Sequence, residues 1–295
     1  MEYNKISYLE KLEKLRGAYP MSVALAKALG VSRTSLVNWL DKPDSISSEN
    51  RFHIDVLYCK HFVVPKWDNS KESFPAVLLP DSMTHNDAVM MPFLRKMSYG
   101  TIEIETGMSQ EDFDRAIDAT RLPKNMSAET FYEAFNTFFT VKGLWAKIVE
   151  RGELFDMYDE SIKVLHESFM RGIREDAGAY SKNQRIMGQL EHFETTWPED
   201  IPEEVYRWVF KYKGVSSLAD IAKAHAHFIA IHPFGDGNGR VGRALVMALC
   251  LNARLMPPVF NGENRAMYYA AMEHAMVNGR HAPLIRLFYE AAKSV

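Results

Sequence analysis

One run of twelve residues restricts this chain more than any other feature: His232-Pro233-Phe234-Gly235-Asp236-Gly237-Asn238-Gly239-Arg240-Val241-Gly242-Arg243. Ala222 to Ile231 ahead of it is apolar at helical spacing, and Pro233 cannot continue that helix. Three glycines then alternate with Asp236 and Asn238, the composition of a tight loop. From Arg240 the positions Val241, Leu245, Val246, Leu249 and Cys250 restore a helical stripe. The order is therefore helix, glycine loop, helix N-terminus. Exposed amides at a helix N-terminus, beside glycines that allow close approach, make an anion site.

Two other readings of the run are weaker. The alternation Gly235-x-Gly237-x-Gly239 looks like a dinucleotide fingerprint, but that fingerprint follows a strand, and here a helix precedes. His225, His227 and His232 suggest zinc, yet the first two fall on different faces of one helix, as packed histidines would.

The rest of the chain sets the frame. Its 295 residues are enough for one large core or two smaller ones, and 47% hydrophobic with 25% charged residues is ordinary for a soluble globular protein. No apolar run reaches membrane-spanning length, and Met1 to Lys5 lacks a signal-peptide core, so a cytoplasmic protein without a membrane partner is expected. Cys59 and Cys250 are too few and too far apart to suggest a disulfide framework or thiolate zinc site. The net charge of −3 argues against a protein coated in nucleic acid. Residues 1–62 are mildly basic, with nine Lys or Arg against seven Asp or Glu.

Almost every segment has helical periodicity, so an all-α fold is expected. Helices are read at 3–16, 21–29, 33–41 and 50–61, then at 86–100, 109–121, 127–151, 157–174, 202–213, 215–231, 239–253, 264–278 and 280–293. Residues 62–85 hold Pro65, Pro75 and Pro80 among Ser, Asn and Asp, as an interdomain connection would. The expected domains are 1–62, a linker at 63–85, and 86–295. Residues 178–198 interrupt the helical pattern with Gly178, Gly188 and Pro198, which suggests a turn or short hairpin.

The stretch from Val23 to Leu40 resembles a phage-repressor-type helix-turn-helix. Ala26 is small at the expected helix crossing, Gly30 supplies the turn, and Ser32 can cap the second helix. Leu36 and Trp39 would face inward. Arg33, Thr34, Ser35 and Asn38 would face outward, residue types that meet phosphates and base edges. The same module also suits a packing or protein-interaction role. Useful DNA binding would require a dimer, because one half-site reader binds weakly.

The run from His232 to Arg243 resembles the Fic family signature at every fixed position. The likeness extends over about 86–295 and takes in Asn264-Arg265-x-x-Tyr268-Tyr269. The resemblance implies an all-helical bundle with a short β-hairpin flap. It also implies a nucleotidyltransferase, most often one that moves AMP from ATP to a Tyr, Thr or Ser hydroxyl of a protein. His232 would then be the base, since imidazole titrates near neutrality. Asp236 would hold Mg²⁺, a hard ligand for a hard cation. Gly235, Gly237, Asn238 and Gly239 would cradle phosphates, Arg240 and Arg243 would fork onto them, and Phe234 and Tyr269 would complete the nucleotide site. Phe234 also reads as a core residue that pins the loop. The related Doc branch, which transfers a terminal phosphate, carries Lys where Gly239 stands, so AMP transfer is favoured here. Branches that move UMP or phosphocholine stay open.

The interruption at 178–198 matches the place of the family's flap, which docks the target segment as an added strand. Its tip would comprise Gln184, Arg185, Ile186, Met187 and Gly188. Many members place an Arg directly after the equivalent of Tyr180, whereas this chain has Ser181. Many members are also restrained by a glutamate that pairs with the second motif arginine. Glu105 is the preferred candidate for that brake, with Glu103 second and Glu49 third. Pairing with Arg243 is the expected contact. The expected protein is a self-restrained adenylyltransferase using ATP and Mg²⁺ on a protein substrate that could be itself. The alternative is a DNA-binding regulator or toxin–antitoxin component whose Fic domain senses or moves another phosphate-containing group. A homodimer would suit either.

Overall fold

In a computed structural model, residues 1–70, 72–119, 121–185 and 193–294 are described. The fold is all-helical, as expected from the periodicity. The helices are α1 (Tyr8–Ala18), α2 (Ser22–Ala28), α3 (Arg33–Asp41), α4 (Ser48–Tyr58), α5 (Val64–Asp68), α6 (Asp81–Thr84), α7 (Asp87–Thr106), α8 (Gln110–Ile117), α9 (Ala128–Trp145), α10 (Asp159–Met170), α11 (Ile201–Tyr212), α12 (Leu218–Ile231), α13 (Asn238–Asn252), α14 (Arg265–Asn278) and α15 (Ala282–Lys293). Among the described residues there is no named strand, and Leu78 and Leu255 form an isolated antiparallel bridge. Ile186, Met187 and Gly188 of the expected flap lie outside the described residues.

Two boundaries differ from the periodicity for local reasons. The segment read as one helix over 3–16 is two, because Ser7 turns extended and its hydroxyl accepts from the Glu10 amide to start α1. The helix read over 86–100 continues to Thr106 and stops at Gly107, which adopts φ +68°.

The chain forms two compact units, one of Met1–Ser73 with Gly262–Leu287, the other of Phe74–Asn261 with Phe288–Val295. In the first, Leu12, Leu15, Leu25, Leu36 and Ile54 form the core. Gly30 (φ +69°) separates α2 from α3, and the Ser32 hydroxyl accepts from the Ser35 amide to cap α3. Leu36 and Trp39 are buried. Lys11 is buried too, its ammonium 2.5 Å from Asp55, which also accepts from the Tyr8 hydroxyl. Helix α14 packs on α4 in this unit, where the Tyr3 hydroxyl donates to the Glu263 carbonyl and Arg280 pairs with Asp68 at 2.7 Å.

The second unit is organised around α13. Thirteen of its fifteen residues are buried, because α7, α9, α10 and α12 all pack on it. A helix enclosed on every side must be apolar all round, and the run Val241 to Leu251 meets that demand apart from Arg243 and the small Gly242. The N-terminus of α13 consequently opens beneath the surface of the bundle, and the glycine loop covers it.

Candidate active site

His232 ends α12 in the left-handed region (φ 56°, ψ 55°), an unusual conformation for a residue with a side chain. Neighbouring segments hold it there. The Ser181 amide donates to the Pro233 carbonyl at 2.9 Å, and the Thr196 amide donates to the Ile231 carbonyl at 3.3 Å. His232 Nδ1 lies 3.3 Å from the Ile229 carbonyl. A carbonyl only accepts, so in the neutral ring Nδ1 carries the proton and Nε2 keeps a lone pair. Burial pushes the pKa of His232 down from its ordinary 6.5, and the charge of Arg185 adds to this. The ring is therefore neutral at neutral pH and able to accept a proton.

The loop that follows is locked from within. Asn238 is buried, and its side-chain amide closes on the backbone of Phe234 in both directions: Oδ1 accepts from the amide at 2.9 Å, and Nδ2 donates to the carbonyl at 2.8 Å. Its side chain shapes the loop. Phe234 is fully buried and stacks flat on His166, with centroids 3.8 Å apart. It anchors the loop in the core. His166 also donates from Nε2 to the Asp236 carbonyl at 3.1 Å and accepts at Nδ1 from the Gly178 amide at 2.9 Å. Both ring nitrogens are satisfied in the neutral form, and burial depresses the pKa to about 4. Gly237 (φ +74°) caps α13 where a Cβ would meet the Met170 sulfur at 2.8 Å. Asp236 Oδ1 accepts from the Gly237 amide at 2.6 Å, while about half of the Asp236 side chain stays exposed.

At the Gly239 end of the loop lie both motif arginines, each almost wholly buried. Glu105, from the last turn of α7, reaches both. Its Oε1 accepts from Arg243 Nη2 at 2.5 Å, and its Oε2 is 3.1 Å from Arg240 Nε. Arg243 also donates to the Thr101 carbonyl at 3.2 Å. Glu133 of α9 and Asp236 each stand 3.5 Å from the Arg240 guanidinium. A Cβ on Gly239 would clash with Glu105 Oε1. The glutamate thus rests directly on the first turn of α13, where a helix N-terminus receives anions. Burial raises the pKa of Glu133, against the lowering effect of Arg240.

At the Gly235 end the surroundings differ. A Cβ on Gly235 would lie 2.9 Å from Arg185 Nη2, 3.0 Å from Asp176 Oδ2 and 3.2 Å from Arg174 Nη2. Arg174 holds Asp176 in a two-pronged pair at 2.6 and 2.9 Å, which lowers the pKa of the carboxyl.

Glu103 is half-buried on α7 beside Tyr99, and Glu49 is exposed in the first turn of α4 in the other unit. Gln184 donates to the Thr195 carbonyl at 2.9 Å. Tyr269 belongs to α14 in the first unit, its ring 5.6 Å from that of Phe52. Arg33, Thr34 and Asn38 are exposed on α3, and Ser35 is half-buried with its hydroxyl 2.9 Å from that of Ser32. His225 is buried against Gly242, with its pKa depressed to about 3 by burial and by Arg243. Among the described residues no group of three His, Cys, Asp or Glu is placed to hold a metal ion, and no helix is long and apolar enough to cross a membrane.

Sequence reasoning missed His166, Glu133, Arg174 and Asp176. For His166 a signal existed: a lone imidazole on a face of α10 otherwise made of Ile162, Leu165 and Phe169. The others lie on segments that carry no motif.

Residues 157–250 match the model of the Fic/DOC family, and the chain carries a Fic domain. A probable protein adenylyltransferase of Aquifex aeolicus is 26% identical over 200 residues, 65% of this chain and 60% of that protein. A Caenorhabditis elegans protein adenylyltransferase is 37% identical over 116 residues, 38% of this chain and 22% of that protein. The matched region thus spans less than two thirds of the length of these curated relatives. A Fic-domain-containing signaling protein from Bacteroides thetaiotaomicron has the same fold, with a TM-score of 0.61 at 18% identity over 79% of this chain and 93% of that one. So does Fic-1 from C. elegans, with a TM-score of 0.60 at 17% identity over 97% of this chain and 79% of that one.

Proposed function

We propose that this chain is an ATP-dependent protein adenylyltransferase that Glu105 restrains. The observation that carries the reading is the position of the Glu105 carboxylate, on the first turn of α13 and between Arg240 and Arg243. A carboxylate in a ring of two arginines and a helix N-terminus occupies the place that suits a phosphate. When Glu105 withdraws, the same groups receive the triphosphate. Gly239 allows its close approach, and Gly237, Asn238 and Phe234 keep the loop in shape.

The reaction then runs in line. The target hydroxyl oxygen attacks the α-phosphorus of ATP, the bond from that phosphorus to the pyrophosphate oxygen breaks, and pyrophosphate leaves. His232 Nε2 takes the hydroxyl proton. Its proton on Nδ1, directed at the Ile229 carbonyl, fixes the tautomer that does this. Asp236 suits Mg²⁺: its side chain is half exposed, and one carboxylate with phosphate and water oxygens is a usual set for that ion. The ion, when bound, would neutralise charge on the phosphates and on the departing pyrophosphate. Arg240 and Arg243 stabilise the same charge from the protein side.

The test is transfer of label from [α-³²P]ATP with Mg²⁺ to the protein itself and to a lysate. Glu105→Gly should label strongly and the wild type weakly, and Glu105→Gly with His232→Ala should not label. Equal labelling by wild type and Glu105→Gly removes the restraint from the proposal. Labelling that survives His232→Ala removes the base.

A second reading concerns the first unit. Helix α3, capped by Ser32, presents Arg33, Thr34 and Asn38 to solvent, which suits contact with a DNA groove. Electrophoretic shift of the chain's own upstream DNA, lost on Arg33→Ala with Asn38→Ala, tests it.

A further inference from the structure

We infer that Arg185 selects the acceptor: it favours a hydroxyl residue flanked by a carboxylate side chain in the target protein. The inference rests on the transferase reading above and adds to it the chemistry of the polypeptide substrate.

Three observations converge on this guanidinium. The first is its charge. Arg174 and Asp176 neutralise one another, whereas Arg185 has no carboxylate within ion-pair distance among the described residues. Of the charged side chains gathered on Gly235, Arg185 is thus the one without a carboxylate partner among the described residues. The second is its fixation. Arg185 Nε donates to the Ser181 hydroxyl at 3.2 Å, and the Ser181 amide donates to the Pro233 carbonyl at 2.9 Å. The Arg185 carbonyl accepts from the Thr195 hydroxyl at 2.8 Å. Two hydrogen bonds in series tie the guanidinium to the residue next to His232, so it is held in place before any ligand arrives. The third is the space left for it. Gly235 has no side chain, and Arg185 Nη2 lies at the point where one would start. The Nη edge thus faces the loop between His232 and Asp236. Its charge is felt at His232, whose pKa it lowers.

The arginines at the other end cannot serve this role. Arg240 and Arg243 are almost wholly buried and paired with Glu105. An acceptor hydroxyl must reach His232 Nε2, and its neighbours in the peptide must then pass the flank of the loop. An extended peptide advances about 3.3 Å per residue, so a side chain one or two positions from the acceptor comes within reach of Arg185. A carboxylate there forms a charge-assisted pair, and a Lys there is repelled.

The experiment uses full-length Glu105→Gly protein with peptides that each hold one Tyr, Thr or Ser. The two positions on either side of the hydroxyl are set to Asp, Asn or Lys. Asp-flanked peptides should be labelled with a kcat/KM about tenfold above Asn-flanked ones, the gain residing in the peptide KM. Arg185→Gln should reduce Asp-flanked peptides to the Asn level, and Arg185→Glu should turn the preference to Lys. No preference for Asp in the protein that keeps Arg185 overturns the inference. So does an Arg185→Gln variant that lowers kcat alike for all peptides. Fluorescence anisotropy of the same peptides reads their binding without any transfer. A preference for Asp that disappears in Arg185→Gln supports the inference even if no label moves, in which case only the transferase reading falls. Equal binding of Asp- and Asn-flanked peptides counts against the inference by itself.

Discussion

The two ends of one short loop carry opposite electrostatic arrangements. At the Gly239 end, Arg240 and Arg243 face the carboxylates of Glu105 and Glu133. Positive charge is buried there and already answered. At the Gly235 end, Arg174 is paired with Asp176, and the half-buried Arg185 has no carboxylate within ion-pair distance among the described residues. A buried and neutralised pair admits a new anion only by expelling the one it holds. A fixed cation at the rim accepts an anion with no expulsion. The first arrangement suits control over a highly charged nucleotide, the second suits selection of a polypeptide. His232 lies between them and is influenced by both, since Arg185 lowers its pKa and Glu105 raises it.

The largest effect should come from the residue between the two ends. In Glu105→Gly protein, His232→Ala should lower label transfer about thousandfold, the scale of a lost general base; a loss under tenfold would mean that both ends act without it. Next is the internal anchor. His166→Ala removes the ring stacked on Phe234 and the hydrogen bonds to Asp236 and Gly178. It should destabilise the protein by about 3 kcal/mol in chemical denaturation. Glu105→Gly should raise transfer about thirtyfold, the worth of about 2 kcal/mol of displaced ion pairing, and should leave the Asp preference of peptides in place. A brake mutation that also abolished this preference would show that the two ends are one system.

Smaller effects concern pH. Because the pKa of His232 is lowered, its neutral form persists below pH 6.5, and the acid limb of kcat/KM in Glu105→Gly should fall below that value. Arg185→Gln should move the limb upward, since it removes a charge that disfavours the imidazolium. His166 gives a separate signature. Its pKa is depressed in the folded state, so its contribution to stability is complete above the unfolded value of 6.5. That contribution is lost as pH falls towards about 4. Urea midpoints measured between pH 7 and 4 should decline accordingly, and less steeply in His166→Phe.

Much of this was legible in the sequence because it is local. The period of apolar residues identified most helices, Ser32 and Gly30 marked the boundaries of α3 and α2, and the alternation of glycines marked the loop. The sequence ranks Glu105 ahead of Glu103 and Glu49 as the partner of Arg243, and the passage of α7 across α13 brings Glu105 and Arg243 together. Two things were not legible. Asn238 could have faced a phosphate or its own loop, and the answer depends on the left-handed turn at Gly237 that carries its amide back to Phe234. His166 lies far from Phe234 in sequence, so nothing local linked the two rings.

Periodicity and glycine spacing act over a few residues, so the helices and a glycine loop at a helix N-terminus can be read from the string, and that loop resembles the Fic signature. Beyond the expected meeting of Glu105 with Arg243, the surroundings of each end of that loop depend on tertiary structure. Packing of α7 and α9 on α13 brings carboxylates to Arg240 and Arg243, while the segments after α10 bring Arg174, Asp176 and Arg185 to Gly235. Charges distant in sequence interact only once burial has set them a few ångströms apart and removed the water between them.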